Sequence, residues 1–456
     1  MFSVAKHAVS WCVIGVLLSC GGVRAEDAPS IATSLPHKGD PAGVRKWLAD
    51  RGVNFGFILT TEGLANVSGG IRRGAVFEGK LETFVHADLE KLAGFSGLSF
   101  YANSFQIFQS GGVGRDLVGN FNTISNIEAL STSRLSELWL EQKLFDGKAS
   151  IRAGQLAADS EFFISNYSTF FMNSDWPAIT ALNLPSGGPA YPLSTPGIRL
   201  KIEPNKHLEF LVALFNGDPS GPGPGDPEIK NRFGLNFRVS DPPLLISELQ
   251  FKYNHQKSDR GLASILRFGA WYHFGDFDHQ RLDTIGLSLA NPLSTGIAAR
   301  LRGNSGIYGV IDQQIYRPAG GGPDSGIGIF SRISASPSDR NPINFYIDGG
   351  IVFSGLLPKR PDDKFGATFI YSNISRTARA LDYDAIFYSG LQQPIRDYEM
   401  TIAFAYMWQI IPGWTVQPEF HYIFHPGGHV VPPDTPLPSG AIPDAAVFAV
   451  RSVVRY

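Results

Sequence analysis

Glu137, Trp139 and Glu141 alternate with Leu138 and Leu140, and Arg152 sits between Ile151 and Ala153. In an extended chain neighbouring side chains point to opposite faces, so one face here carries acid, base and indole while the other is oily. Gly197 to Glu203 repeats the arrangement with Arg199, Lys201 and Glu203, and Ile265 to Phe274 does so with Arg267, Trp271 and His273. Such a mixture suits a neutral polyhydroxyl solute. Each hydroxyl can donate to a carboxylate or accept from a guanidinium, and an aromatic plate packs against the C–H face of a sugar ring. The stretch from Ala157 to Pro196 adds Asp159, Glu161, Tyr167, Trp176 and Tyr191 to a run of phenylalanines. Glu137, Trp139, Arg152, Asp159, Glu161, Trp176, Arg199 and Trp271 are therefore the candidate solute-binding residues. The plainer alternative is that the charges only meet water and the aromatics pack against a wall.

Other constellations do not resolve into chemistry. Asp362 and Asp363 beside Arg360 would point opposite ways on a strand, and a surface turn accounts for them. Asp312-Gln313-Gln314 reads as wall rather than as a metal site. His421, His425 and His429 have helical spacing, but Pro426, Gly427 and Gly428 forbid a helix. No nucleophile turn with Ser, His and acid is recognisable, nor a phosphate loop, so neither catalysis nor a cofactor is expected.

The elements that must hold the candidates are strands. From Phe77 to Glu90, Phe77, Gly79, Leu81, Val85, Ala87 and Leu89 share one phase, and Glu78, Lys80, Glu82, His86, Asp88 and Glu90 share the other, with Phe84 interrupting the charged row. Similar segments of roughly ten residues recur to the end of the chain, the pattern of a transmembrane β-barrel. Fifty Gly, 31 Pro, 33 Phe and 15 Tyr against 4 Met agree with strands and tight turns rather than packed helices.

Residues 1–25 read as an export signal: Lys6 and His7, an apolar stretch from Ala8 to Leu18, then Val23-Arg24-Ala25. Leu17-Leu18-Ser19-Cys20 offers a rival lipoprotein cleavage, and either route exports the chain. Cys12 and Cys20 both lie in this segment, so cleavage after Ala25 leaves no thiol for disulfide, catalysis or metal. Losing Lys6 and Arg24 moves the formal balance from -2 to 37 minus 41, or -4, with no basic excess to recruit nucleic acid. Residues 26–52 then form a periplasmic segment in which Asp40-Pro41 starts a short helix with Val44, Trp47 and Leu48 on one face. Residues 53–456 form the barrel.

Strand starts fall near Val53, Gly74, Gly97, Arg134, Ala149, Gly197, His207, Asn231, Leu244, Ile265, Gly306, Gly326, Ile343, Phe365, Tyr398, Gly413 and Ala446. That is an odd number, whereas a bacterial barrel is even. The tight turns at Asp146-Gly147-Lys148, Pro204-Asn205-Lys206 and Ile411-Pro412-Gly413 should share one side, and counting inward from both ends produces a clash between Val239 and Ile343. Either Leu282 to Ala290 is a missed strand or an earlier candidate is false. Long Gly-, Pro- and Ser-rich connections at Ser110–Ser133, Ala157–Pro196, Asn216–Lys230, Thr377–Asp397 and His425–Ala445 belong at the outer mouth, where one often turns inward.

Five stretches in order resemble the carbohydrate-selective porins of the OprB family: RLSELWLEQKLFDGKASIRAGQ from Arg134, SEFFISNYSTFFMN from Ser160, YGVIDQQIY from Tyr308, RPDDKFGATFIYSNIS from Arg360 and YEMTIAFAYMWQIIPGWTVQPEFHYIFHPGG from Tyr398. The resemblance runs from Asp40 to Tyr456. It implies a 16-stranded antiparallel barrel in the outer membrane, passive uptake of small carbohydrates through a narrow waist, lipid around the wall, and recognition by the barrel-assembly machinery through a last strand ending at Tyr456. A general or ion-selective porin of the same architecture is the competing reading, and a barrel enzyme is a third that lacks an identifiable nucleophile.

Overall fold

The computed structural model describes residues 29–35, 39–256 and 258–456. The expected export signal, residues 1–25, and both cysteines lie outside them. The described chain is a closed barrel of sixteen strands, each paired antiparallel with its sequence neighbours. They are β1 (Val53–Ser68), β2 (Gly74–Asp88), β3 (Leu98–Gln109), β4 (Thr132–Leu144), β5 (Ala149–Leu156), β6 (Thr195–Asn205), β7 (Leu208–Phe215) and β8 (Leu244–Tyr253). β9 (Ser264–Asp283), β10 (Ala298–Tyr316), β11 (Gly326–Ala335), β12 (Ile343–Ser354), β13 (Lys364–Ile374), β14 (Tyr398–Ile411), β15 (Trp414–Phe424) and β16 (Ala445–Arg455) complete the wall. β16 returns to β1 in the register Ile58↔Arg455 to Ser68↔Ala446, so no edge remains unpaired.

The period-two pattern decides which way each strand faces. Phe77, Leu140, Ile151, Ile198, Phe210, Phe268, Ile307, Phe369, Phe404 and Phe448 are exposed on the outside of the wall. Opposite phases turn inward, where Glu62, Glu78, Arg152, Arg199, Arg267 and Arg332 are buried. Among the described residues no helix is long and apolar enough to cross a membrane. Turns leading from even to odd strands are short, as at 206–207 and 412–413, and share one side with the start of β1 and the end of β16. The long connections 110–131, 157–194, 216–243, 375–397 and 425–444 share the other side.

Asn231 does not begin a strand, and its removal makes the count even. The stretch from Leu282 to Ala290 adds none, contributing only an isolated bridge between Leu282 and Ser288. The segment after Asn231 nevertheless repairs the wall. β5 is short, and its pairing with β4 ends at Leu138↔Gln155. Above that point Leu135 N donates to Phe233 O at 3.0 Å, Thr132 Oγ1 to Arg232 O at 2.9 Å and Gln155 Nε2 to Gly234 O at 2.9 Å. Phe233 and Leu235 lie beside Leu81 and Leu135, while Phe237 and Val239 lie beside Leu138, Ile198 and Leu214. The alternation resembles a strand because it faces the same apolar surroundings as one.

The short N-terminal helix is Val44–Ala49, and Asp40 accepts from Arg45 N at 2.9 Å at its start. It does not dock through its apolar residues, since Val44 and Trp47 are exposed. Instead the Arg45 guanidinium lies 5.6 Å from the Phe55 ring and 5.2 Å from the Tyr456 ring, next to the seam between β1 and β16.

Candidate functional site

Two outer connections, 110–131 and 157–194, fold back into the barrel. Their backbone amides would lose water there, and inward carboxylates of the wall replace it. Glu78 of β2 accepts from Val113 N at 3.0 Å. Glu248 of β8 accepts from Phe163 N at 2.8 Å, and Asp312 of β10 from Asn166 N at 2.9 Å and Tyr167 N at 3.2 Å. Glu399 of β14 takes Asn122 N at 2.6 Å, and Glu419 of β15 takes Met172 N at 3.2 Å. The side of segment 157–194 away from the lumen packs Phe162, Phe163, Trp176, Ile179 and Leu184 against inward Leu211, Phe215, Leu244, Ile246, Tyr308 and Tyr346. Inward glycines let the rings lie close: a Cβ on Gly269 would fall 2.0 Å from Tyr308, and one on Gly328 would fall 2.1 Å from Tyr167.

Several expected solute contacts turn out to be part of this seat. Glu137 is 9% exposed and accepts from Ala157 N at 3.3 Å. Trp176 and Trp271 are 5% and 3% exposed within the packed layer, so neither offers a face for a sugar. Trp139, 8% exposed, has the Tyr101 ring stacked 4.9 Å away from β3 and the Arg152 guanidinium 3.9 Å away from β5. Arg152 and Arg199 form a buried four-membered ion cluster with Glu141 of β4 and Glu161 of the folded-in segment. Arg152 lies 3.0 Å from Glu141 and 3.5 Å from Glu161; Arg199 lies 3.0 Å and 2.8 Å from the same two acids. Two positive and two negative charges cancel without help from solvent.

Other inward residues keep partial exposure, and one group of them joins β2 to a folded-in segment. Lys80, Asp159, Asp175 and Tyr191 converge from β2 and segment 157–194. The Lys80 ammonium lies 4.7 Å from the Phe105 ring and 4.8 Å from the Tyr191 ring. Asp159 accepts from Tyr191 N at 2.7 Å. Its carboxyl is pushed up to about 6 by burial, against the lowering effects of that hydrogen bond and the Lys80 charge. Asp175 is pushed up to about 7, first by burial and then by the charge of Asp159, against the pull of Trp176 N and Thr123. The two folded-in segments fasten to each other here. Thr123 Oγ1 donates to Asp175 at 3.2 Å, Asn126 N to Met172 O at 2.9 Å and Tyr191 Oη to Ile127 O at 2.8 Å. Arg451 of β16, paired with Glu62 of β1 at 2.5 Å, also donates to Asn126 Oδ1 at 2.5 Å. Toward the short-turn side, Phe84 and Tyr101 stack at 6.4 Å, continuing to Trp139 as a row of rings along the inner wall.

Lys80 belongs to the charged row of β2, whereas Asp175, next to Trp176, lies in a segment without strand periodicity that could mark its direction. A legible signal for the folded-in layer was present. Leu208–Phe215 reads LEFLVALF, apolar on both phases, which a water-filled interior does not require.

Residues 72–456 match the family described as "Carbohydrate-selective porin, OprB family". The chain is similar to "Porin B" of Pseudomonas aeruginosa, 23% identical over 449 residues, which span 91% of this chain and 93% of that one. Among solved structures, a high-pH structure of Pseudomonas putida OprB superposes with a TM-score of 0.77 at 20% identity, covering 92% of this chain and 97% of the other. The low-pH structure of the same protein gives 0.53 at 17% identity over the same shares.

Proposed function

Since the chain belongs to the carbohydrate-selective porin family OprB and is an outer-membrane channel preferring small carbohydrates, we propose that its waist is the half-buried group Lys80, Asp159, Asp175 and Tyr191. The observation that carries this reading is the convergence of one ammonium, two carboxylates and an aromatic ring where the two folded-in segments meet. Carboxylates accept from sugar hydroxyls, the ammonium donates, and the ring packs against C–H. Opposite charges also keep the waist from favouring ions of one sign strongly. The rings of Phe84 and Tyr101 then give a departing solute weak successive contacts, as release requires.

In this reading Arg152, Arg199, Glu137 and Glu161 act on the solute through the seat of the waist, and Asp159 meets it directly. Lipid contacts the outer face, Tyr456 at the barrel seam is the mark read during assembly, and no catalytic role or cofactor is involved. Sugar block of ion current in planar bilayers tests the assignment. Tyr191→Leu should raise the half-blocking sugar concentration severalfold, and an unchanged value would refute Tyr191 as a contact. Liposome swelling tests the preference itself: equal rates for sugars and size-matched amino acids would contradict it.

A further inference from the structure

We propose that Asp397, His425 and His429 form a binding site for a divalent transition-metal cation at the outer mouth, joining the connections 375–397 and 425–444. Asp397 immediately precedes β14, and His425 immediately follows β15. His425 Nδ1 lies 2.9 Å from Asp397 Oδ1, and His429 Nδ1 lies 3.9 Å from Asp397 Oδ2. One ligand atom from each residue falls within 4.8 Å of the others. Tetrahedral zinc, with bonds of about 2.0–2.2 Å, needs ligand atoms about 3.3 Å apart. The two histidine–carboxylate separations, one to each oxygen of Asp397, bracket that value, and with all three ligand atoms within 4.8 Å the closure needed is at most about 1.5 Å.

The donor chemistry selects the class of ion. Two imidazoles and one carboxylate suit zinc, nickel or copper, whereas calcium and magnesium prefer oxygen ligands. The three side chains are 28%, 37% and 33% exposed for His425, His429 and Asp397, leaving room for water to complete the shell. The backbone is held in an uncommon shape that brings the rings together. His425 and His429 adopt φ of 50° and 74°, left-handed values that non-glycine residues rarely take. The intervening Gly427 and Gly428 are left-handed as well, so the spacing of four does not come from a helix. Asp444 accepts from His425 N at 2.9 Å and Glu399 from Gly427 N at 2.7 Å, fixing the turn. The Tyr398 ring packs 4.5 Å from His425, and the two imidazoles lie 4.3 Å apart. Residues held in such conformations cluster at binding and catalytic sites. His421, the third histidine of the sequence pattern, is buried beside Glu419 and takes no part.

Untagged protein in detergent, stripped with a chelator, should bind one equivalent of Zn²⁺ in equilibrium dialysis and give a visible Co²⁺ absorption of low symmetry. His429→Asn keeps a residue that tolerates the left-handed backbone and should weaken zinc binding by at least about tenfold. His425→Asn should do the same, with heat-modifiable migration on gels reporting that the barrel is intact. Absence of a stoichiometric zinc, or an affinity in both variants equal to that of the parent, overturns the proposal.

Discussion

The ring of Phe163 lies 4.2 Å from that of Tyr308 at an interplanar angle of 14°, and both residues bond to the carboxylate of Glu248 at 2.8 Å. Phe163 itself has φ 61°, so the segment reaches Tyr308 through a strained turn that Glu248 holds. Glu248→Ala leaves an amide and a hydroxyl unpartnered, costing about 1–3 kcal/mol for each. Single-channel conductance should rise and become noisier while the barrel still migrates as folded. Conductance equal to that of the wild type would show that the segment is seated without Glu248.

Ion selectivity should depend on pH. The raised carboxyls, Asp159 at about 6 and Asp175 at about 7, are neutral in acid and both ionised only above about pH 8. Cation preference in planar bilayers should therefore increase from about pH 5 to about pH 8, and Asp159→Asn with Asp175→Asn should flatten the change. The same shifts favour the folded waist in acid. Their stabilising contribution is full below the unfolded carboxyl value near 4 and is lost as pH rises through about 6 to 7.

Arg152→Ala should act on stability before it acts on permeation. Arg152 pairs with Glu141 and Glu161 where its side chain is 5% exposed. Removing one member of a buried ion cluster costs about 3–5 kcal/mol. A lower unfolding temperature and protease cleavage within 157–194 are expected, and a variant as resistant as the parent would contradict the buried cluster.

Gly234 closes the gap above β5. It has φ +67°, and a Cβ there would meet Leu135 O at 1.9 Å. Gly234→Ala should lift the segment from β4 at a cost on the order of 1–3 kcal/mol. Faster hydrogen exchange at the Leu135 amide is the measurement; protection equal to that of the parent would contradict the role.

The alternation of β2 made the barrel legible, because one face meets an apolar surround and the other does not. The segment after Asn231 misled for the same reason: Phe233, Leu235, Phe237 and Val239 are exposed on the outer wall without belonging to a strand. Hydrophobic period reports the environment, while strand identity needs partners. The helix dock was missed because a guanidinium on the Tyr456 ring leaves no apolar stripe. The candidate site was legible in residue type and not in contact. Glu137, Arg152 and Arg199 do face inward, but a segment distant in sequence covers them, and period-two reasoning sees only the strand on which a residue sits.

Asn126 is held by Arg451, whose partner Glu62 lies across the seam between the last strand and the first. The guanidinium that β16 offers to the folded-in segment is thus oriented by a carboxylate of β1. A loss of Glu62 would be felt twice, at the join of the cylinder and at Asn126 inside it.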